Sequence, residues 1–504
     1  MTVRRRKVLL TGATGNWGRA TLRELRDRDA VDVVAFAMPT DTDRAILDGF
    51  RDMSNLSVVW GDLTNHADVE RAMDGVDLVI HVGAVVSPLA DEHPKLARKV
   101  NIGSMQNIVR AARSRPDPSS VEIVGIGSVA ETGHRDEPHH WGRVGDPIRV
   151  SQFDEYGQTK VVAEKLLVES GLPKWAWLRQ TGIFHQGMLE IRDPIMTHTP
   201  FAGVLEWASD CDSARLLAGI AEGAPEGFWG EIYNIGGGDG WRLTNWELQV
   251  AIGEAIGVRD IRTWYDRNWF ATKNFHGQWY TDSDKLEQLV PFRQDTFEEA
   301  VSRAVLASPR MMRQAGKVPP WLIKNLVMKR LSRRPRGTMS AVRRGAHDEI
   351  GAHFGSLEDW KAIGNWSTFT PPMPSRDPVY LDHGYDESVP PSAWSRSLLA
   401  DAATFRGGQL LTTDPEPGNV EAPVTWRCAL GHVFAGSPKL ILRGGHWCPD
   451  CVQDPAGYRT QAEQNSFLAQ LEGVRKVSDT SPGSRRKNID ECVMNSRAAA
   501  MYRP

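Results

Sequence analysis

Short apolar runs alternate with amphipathic stretches over the first 130 or so residues, at the spacing of strand–helix–strand units. From Lys7, KVLLTGATGNWGRATLRELRDR reads as an apolar strand, a glycine turn and a helix. VDVVAFAM (31 to 38), LSVVWGDL (56 to 63), VDLVIHVGAVV (76 to 86) and VEIVGIGS (121 to 128) are near-continuous apolar runs, the pattern of parallel strands covered on both faces. HADVERAM and NIGSMQNIVRAARS, between them, have the periodicity of helices. The expected fold class is α/β: a Rossmann-type doubly wound parallel sheet with a smaller substrate-binding region, and a small zinc-binding domain near the C-terminus for reasons given below.

The turn after the first strand brings in chemistry. Gly12, Gly15 and Gly18 let the backbone turn tightly and approach a pyrophosphate, while the following helix offers free N–H groups and a positive dipole end. Such a turn is weak evidence alone; here it follows a strand and opens a helix. Farther on, FDEYGQTKVVAEKLL places Tyr156 and Lys160 one helical turn apart, so that the ammonium is expected to depress the phenol pKa. A phenol so tuned exchanges a proton with a substrate hydroxyl near neutral pH. Ser128 precedes the pair, in VGIGSVAETG.

In this order the motifs resemble the extended short-chain dehydrogenase/reductase family, which holds nucleotide-sugar epimerases, dehydratases and related reductases; the resemblance spans residues 7 to about 305. TGATGNWG, with Asn16 and Trp17, resembles the family's cofactor turn. GDL, with Asp62 and Leu63, resembles its adenine-side acid, and HVGA, with Val82, Gly83 and Ala84, its strand-end signature. VNIGSMQN resembles the helix bearing a structural or catalytic Asn, here Asn101; LRQTGIF from Leu178 and IYNIGGG from Ile232 resemble later landmarks. The resemblance implies that Tyr156 is the general acid/base, that Lys160 holds the nicotinamide ribose and tunes Tyr156, and that Ser128 positions the reacting oxygen. It also implies an NAD or NADP cofactor and a small-molecule substrate, and a homodimer is compatible with it.

Departures from the family pattern narrow the reading. The second strand ends at Ala37 and Met38 where NAD-binding members carry a ribose-binding Asp, so nothing repels a 2′-phosphate; with Arg44 as a substitute clamp the balance tips slightly to NADP. Ser128 is followed by Val129 and Ala130, with Glu131 one step late for the Asp-Glu pair of the 4,6-dehydratases, which argues against dehydration. Leu205 stands near the Arg that clamps a diphosphate in many epimerases, so a nucleoside diphosphate sugar is not specifically indicated.

At 504 residues the chain exceeds one α/β domain, and a net charge of −3 gives no global attraction to nucleic acid. No stretch approaches a transmembrane helix in length, and a cytoplasmic location is the expectation. Four of the five cysteines lie beyond residue 400, which points to a local cause. In WRCALGHVF and GGHWCPDC, Cys428 and His432 face Cys448 and Cys451 across a 15-residue spacer, a Cys₃His set suited to tetrahedral Zn²⁺. The stretch resembles a treble-clef zinc ribbon, which implies a closed structural site; His446 reads as a core or surface His and not a fifth donor.

Between these parts, residues 310 to 344 carry eleven Lys or Arg and no Asp or Glu. Leu322, Ile323, Leu326, Val327 and Leu331 recur at helical spacing after Pro319 and Pro320, so a basic amphipathic helix is expected over 320–334. Three roles compete: docking on the enzyme's own core through the apolar face, contact with an anionic membrane, and contact with nucleic acid or a partner. The Pro-rich FTPPMPSRDPVYLDHGYDESVPPSAW reads as an extended connection, and the end of the chain as weakly structured. The division is therefore 1–309, an NAD(P)-binding domain with its substrate region; 310–350, basic helix and linker; 351–476, connection and zinc ribbon; 477–504, tail. The function expected is NAD(P)-dependent oxidoreductase or epimerase, with no nucleic-acid partner. The alternative is a non-catalytic NADP-sensing regulator whose zinc domain and basic helix contact a partner or nucleic acid.

Overall fold

The computed structural model describes residues 4–190 and 193–473. Its centre is a seven-stranded, fully parallel sheet of β1 (Arg6–Thr11), β2 (Val31–Ala37), β3 (Leu56–Trp60), β4 (Leu78–His81), β5 (Glu122–Ser128), β6 (Trp175–Gln180) and β7 (Glu231–Ile235). The order β7-β6-β5-β4-β1-β2-β3 reverses direction between β1 and β4, the switch point at which doubly wound sheets bind ligands. α1 (Asn16–Leu25) and α2 (Asp41–Asp48) lie along the β1–β3 half, with α3 (His66–Ala72) and α4 (Gly103–Arg113) farther on. α5 (Glu155–Val168) connects β5 to β6, and α6 (Asp210–Gly223) precedes β7. The apolar runs form these strands because both sheet faces are covered: Val8 and Leu10 enter one core, Leu9 and Val79 the other.

The region expected to bind substrate contains a third core built around Phe201, Trp241, Tyr265 and Phe270. The basic segment joins it and is no free linker: Leu331 is buried, Met328 packs against this core, and Lys324 pairs with Asp266 at 2.6 Å. Its apolar face corrects the expectation of docking through Leu326. A π-helical turn over Ile323–Met328 breaks the 3.6-residue phase, leaving Leu326 49% and Val327 48% exposed beside an exposed Trp321.

The Pro-rich connection runs along the body without regular structure from Thr370 to Pro390. His383, in LDHGYDE, is buried and bonds Asp146 at 2.9 Å, anchoring that run. The chain closes with α7 (Arg396–Phe405) and an antiparallel sheet of β8 (Gln409–Leu410), β9 (Val424–Arg427) and β10 (Val433–Gly436) around the cysteine cluster. The tail from 477 lies outside the described residues. No helix among the described residues is long and apolar enough to cross a membrane.

Candidate functional site

The glycine turn sits at the β1–β4 switch point. Gly12 has φ +67°, and a side chain there would meet the backbone of Gly83 at 2.7 Å; a Cβ on Gly18 would overlap the Gly12 carbonyl. Gly15 caps α1 without a side-chain partner, leaving the first-turn N–H groups free for an anion. A dinucleotide pyrophosphate fits this cradle, with Gly12, Gly15, Asn16 and Gly18 at its wall. Trp17 needs correcting: its side chain is buried in the sheet core, so only its backbone amide is available to a ligand. Beyond β4, Val82, Gly83 and Ala84 close the other side, with Leu63 touching the Cβ position of Gly83. His81 locks the junction. Its Nδ1 bonds Thr11 Oγ1 at 2.8 Å and its Nε2 bonds Ser104 Oγ at 3.0 Å, while Gly83 donates its N–H to Thr11. Burial, with Lys160 nearby, pushes His81 down to about 3, so the ring is neutral.

After β3, Asp62 accepts the Thr64 N–H at 2.8 Å, and its own N–H is held by Asp68 at 3.0 Å. The end of β2 presents Ala37 and an exposed Met38 with no carboxylate. Arg44 lies 4.7 Å over the Trp60 ring at the end of β3.

Ser128 ends β5, and Tyr156 and Lys160 face it from the first turns of α5, which Asp154 starts by accepting the Gly157 N–H at 2.8 Å. The Ser128 side chain tempers the upward shift of the Tyr156 phenol. The Lys160 ammonium lies 5.7 Å from the Tyr156 ring and donates to the Ile126 carbonyl at 2.7 Å. The expected depression of the phenol is not what the site shows. Burial, then the nearby Glu131 carboxyl, hold Tyr156 well above the ordinary phenol range, and burial pushes Lys160 down to about 8. Tyr156 therefore sits as a neutral proton donor, with the Lys160 charge directed at the strand. Asn101, read as structural or catalytic, is committed to scaffold: it accepts the Val85 N–H at 2.7 Å and donates to Val85 O and Thr159 Oγ1, each at 2.9 Å. It fixes the loop after β4 to α5 and has no donor left for a substrate.

Beside the residues preceding Tyr156 lies a cleft of about 490 Å³, lined among others by Ser87, Asp91, Phe153, His198, His276 and His353. Asp91 is pushed up to about 6 by burial and then by Asp154. Arg336, from the basic segment, reaches the same wall and pairs with Asp193 at 3.1 Å. The sequence reading missed this contribution, because no local motif marks a wall built by a segment some 180 residues downstream of Tyr156.

The second site is the cysteine cluster. Cys428, His432, Cys448 and Cys451 bring one ligand atom each to within 4.8 Å of one another. Cys451 Sγ lies 3.7 Å from Cys428 Sγ and 3.5 Å from His432 Nδ1, and Cys448 Sγ lies 3.4 Å from the same nitrogen. Zn–S bonds of about 2.3 Å at tetrahedral angles put sulfurs about 3.8 Å apart, so the donors already stand at ligand spacing. A reciprocal turn, Gly431 N to Cys428 O and Cys428 N to His432 O, both 3.0 Å, forms the first knuckle with Gly431 at φ +86°. His446 is no ligand; it bonds Glu164 at 2.8 Å.

Residues 8–172 match the NAD dependent epimerase/dehydratase family. The chain is 30% identical over 163 residues to 3 beta-hydroxysteroid dehydrogenase type 7 of Mus musculus, a stretch covering 30% of this chain and 42% of that protein. It is 29% identical over 109 residues to UDP-glucose 4-epimerase of Rickettsia bellii, covering 21% of this chain and 32% of the relative. The shared stretch thus spans less than half of either relative's length. Among solved structures, dTDP-glucose 4,6-dehydratase DesIV of Streptomyces venezuelae, with NAD and TYD bound, superposes with a TM-score of 0.48 at 21% identity, over 62% of this chain and 99% of that one.

Proposed function

We propose that this chain, whose residues 8–172 form a domain of the NAD dependent epimerase/dehydratase family, is an NAD(P)-dependent oxidoreductase or epimerase acting at a carbon that bears a hydroxyl or keto group. The observation that carries the reading is the convergence of the glycine cradle, Ser128, Tyr156 and Lys160 on one edge of the sheet. A bound nicotinamide would supply or accept the hydride. Ser128 orients the substrate oxygen, Tyr156 exchanges the proton with it, and Lys160 is within reach of a ribose beside the phenol. Gly12, Gly15, Asn16 and Gly18 hold the pyrophosphate, Asp62 and Leu63 border the adenine, and Val82, Gly83 and Ala84 form the facing wall. With Ala37 and Met38 at the end of β2 and Arg44 nearby, NADP is the favoured cofactor.

The relatives act, by their names, on hydroxysteroids and on UDP-glucose. Exposed Phe153, which lines the cleft, and exposed Val86, Leu89 and Leu96, close in sequence to the cleft residues Ser87, Asp91 and Pro94, favour a substrate with a substantial apolar body. The test is to supply the protein with NAD(P)⁺ or NAD(P)H and panels of hydroxysteroids and nucleotide sugars, following nicotinamide absorbance. Turnover on a member of either panel, lost in Tyr156→Phe, supports the reading. Dinucleotide binding with no turnover on any secondary alcohol or ketone would favour the NADP-sensing regulator. Structural Zn²⁺ at Cys428, His432, Cys448 and Cys451, a cytoplasmic location, a homodimer, and contact of residues 320–334 with anionic membrane belong to the same proposal; exposed Trp321, Leu326 and Val327 support the last.

A further inference from the structure

A continuous chain of buried polar groups joins the reacting pair to the zinc module. The Ser128 N–H donates to Glu131 at 2.7 Å, and Arg179 pairs with the Glu131 carboxylate at 3.5 Å. Arg179 grips Glu164 with two nitrogens at 2.9 and 2.6 Å and donates to the Gly444 carbonyl at 2.7 Å. His446, two residues before Cys448, completes the chain by bonding Glu164 at 2.8 Å. Glu131, Glu164 and Arg179 are fully buried and His446 is 5% exposed.

The chain is one of several contacts on the same helix. Along α5, Gln158 donates to Val452 O at 2.8 Å, Lys165 donates to Ala435 O at 2.9 Å, and Glu169 accepts the Ser437 N–H at 2.7 Å. The loop that carries Gly444 to His446 approaches so closely that a Cβ on Gly445 would overlap the Asp146 carbonyl, and Ile148 donates its N–H to Gly445 at 3.1 Å. The helix bearing Tyr156 and Lys160 thus touches, at Gln158 and Lys165 and at Glu169 just past its end, residues that flank the cysteine cluster.

Stability alone does not call for this chain: buried ionic groups are commonly worth less than apolar side chains of the same volume, whereas breaking one strands a buried charge. Such a network does specify geometry. We propose that the zinc module is a brace for the catalytic helix, and that Glu131, Arg179, Glu164 and His446 are positioning residues holding Ser128 and Tyr156 in register. The proposal rests on the reading of Ser128 and Tyr156 as the reacting pair.

The test uses the full chain and leaves the four metal donors intact. His446→Ala removes the link from the module to Glu164, whereas His446→Gln keeps a hydrogen-bond donor at that point. Zinc content, hydrogen exchange of the peptides covering residues 126–131 and 155–168, and dinucleotide binding are measured for wild type and both variants. The expected result is about one zinc per chain throughout, with exchange in those two segments about tenfold faster in His446→Ala and restored in His446→Gln. Wild-type exchange in zinc-loaded His446→Ala would overturn the brace, as would failure of His446→Gln to restore it. Should His446→Ala not fold, the same peptides are read in wild type after zinc chelation; faster exchange confined to residues 409–452 would equally overturn it. The two readings fail separately: a wild-type protein that binds no dinucleotide removes the proposed function whatever the exchange shows, and one that binds dinucleotide with unchanged exchange in the variant removes the brace alone.

Discussion

At Tyr156 the sequence and the structure give different electrostatic accounts of the same residue. The four-residue spacing to Lys160 was legible because helical geometry dictates that both side chains share a face. The direction of the shift was not, because it is set by burial and by Glu131, whose approach depends on the β5 turn and not on helical spacing. Tyr156→Phe removes only the titrating oxygen, so dinucleotide binding should persist while turnover falls by about 10² or more, read as single-turnover nicotinamide absorbance. Wild-type rates in that variant would sink the assigned role. Lys160 makes a separate prediction. Its folded pKa of about 8 lies below the ordinary 10.5, so between these values the unfolded chain binds more protons and stability rises with pH. Across about pH 8 to 10 the stability of Lys160→Met should therefore rise less steeply than that of wild type, as followed by denaturant midpoints; parallel curves would show that the ammonium is not buried at this cost. Asn101 illustrates the opposite limit: its position matches a motif, but that its amide is used up on Val85 and Thr159 emerges only from the fold.

The elements most legible in advance were those with strong periodicity. The five strands from β1 to β5 follow the apolar runs closely, while β6 and β7 were visible only through the landmarks LRQTGIF and IYNIGGG. The basic helix was placed correctly, but its face was not, since the π-helical turn at Ile323–Met328 cannot be read from a regular apolar period. Leu326→Asp should accordingly cost little stability, and Leu331→Asp about 2 kcal/mol or more, measured by thermal melting. The glycine turn is the element with least tolerance. Gly12→Ala meets Gly83 at 2.7 Å and must adopt a left-handed backbone, so dinucleotide affinity should fall by at least about tenfold even where the protein folds. Undiminished affinity in the calorimeter would argue against a pyrophosphate in this cradle.

At the scale of the molecule, the spacing of Cys428, His432, Cys448 and Cys451 led to the expectation of a metal site, and these donors stand at ligand spacing; what that spacing could not announce is that the module carrying them lies against α5, because contacts such as Gln158 to Val452 and His446 to Glu164 join residues nearly 300 apart in sequence. Elemental analysis should find about one zinc per chain, and Cys448→Ser should lower it and loosen residues 409–452 more than the sheet. A folded, active, metal-free preparation would remove the zinc assignment. If the exposed Trp321 meets an anionic bilayer, sedimentation with anionic vesicles should be lost in Trp321→Ala and Arg330→Glu at unchanged melting temperature; wild type that stays in the supernatant would exclude the contact. The proposed activity rests on the claim that the switch point between β1 and β4 holds a nicotinamide dinucleotide. The most direct measurement of that claim is mass spectrometry of small molecules released by denaturing one portion of the purified protein, alongside titration of a second, native portion with NAD and NADP. The account requires that one of them be recovered or be bound again, and that Gly12→Ala bind neither normally. Wild-type protein that carries no dinucleotide and takes up neither at millimolar concentration would contradict it.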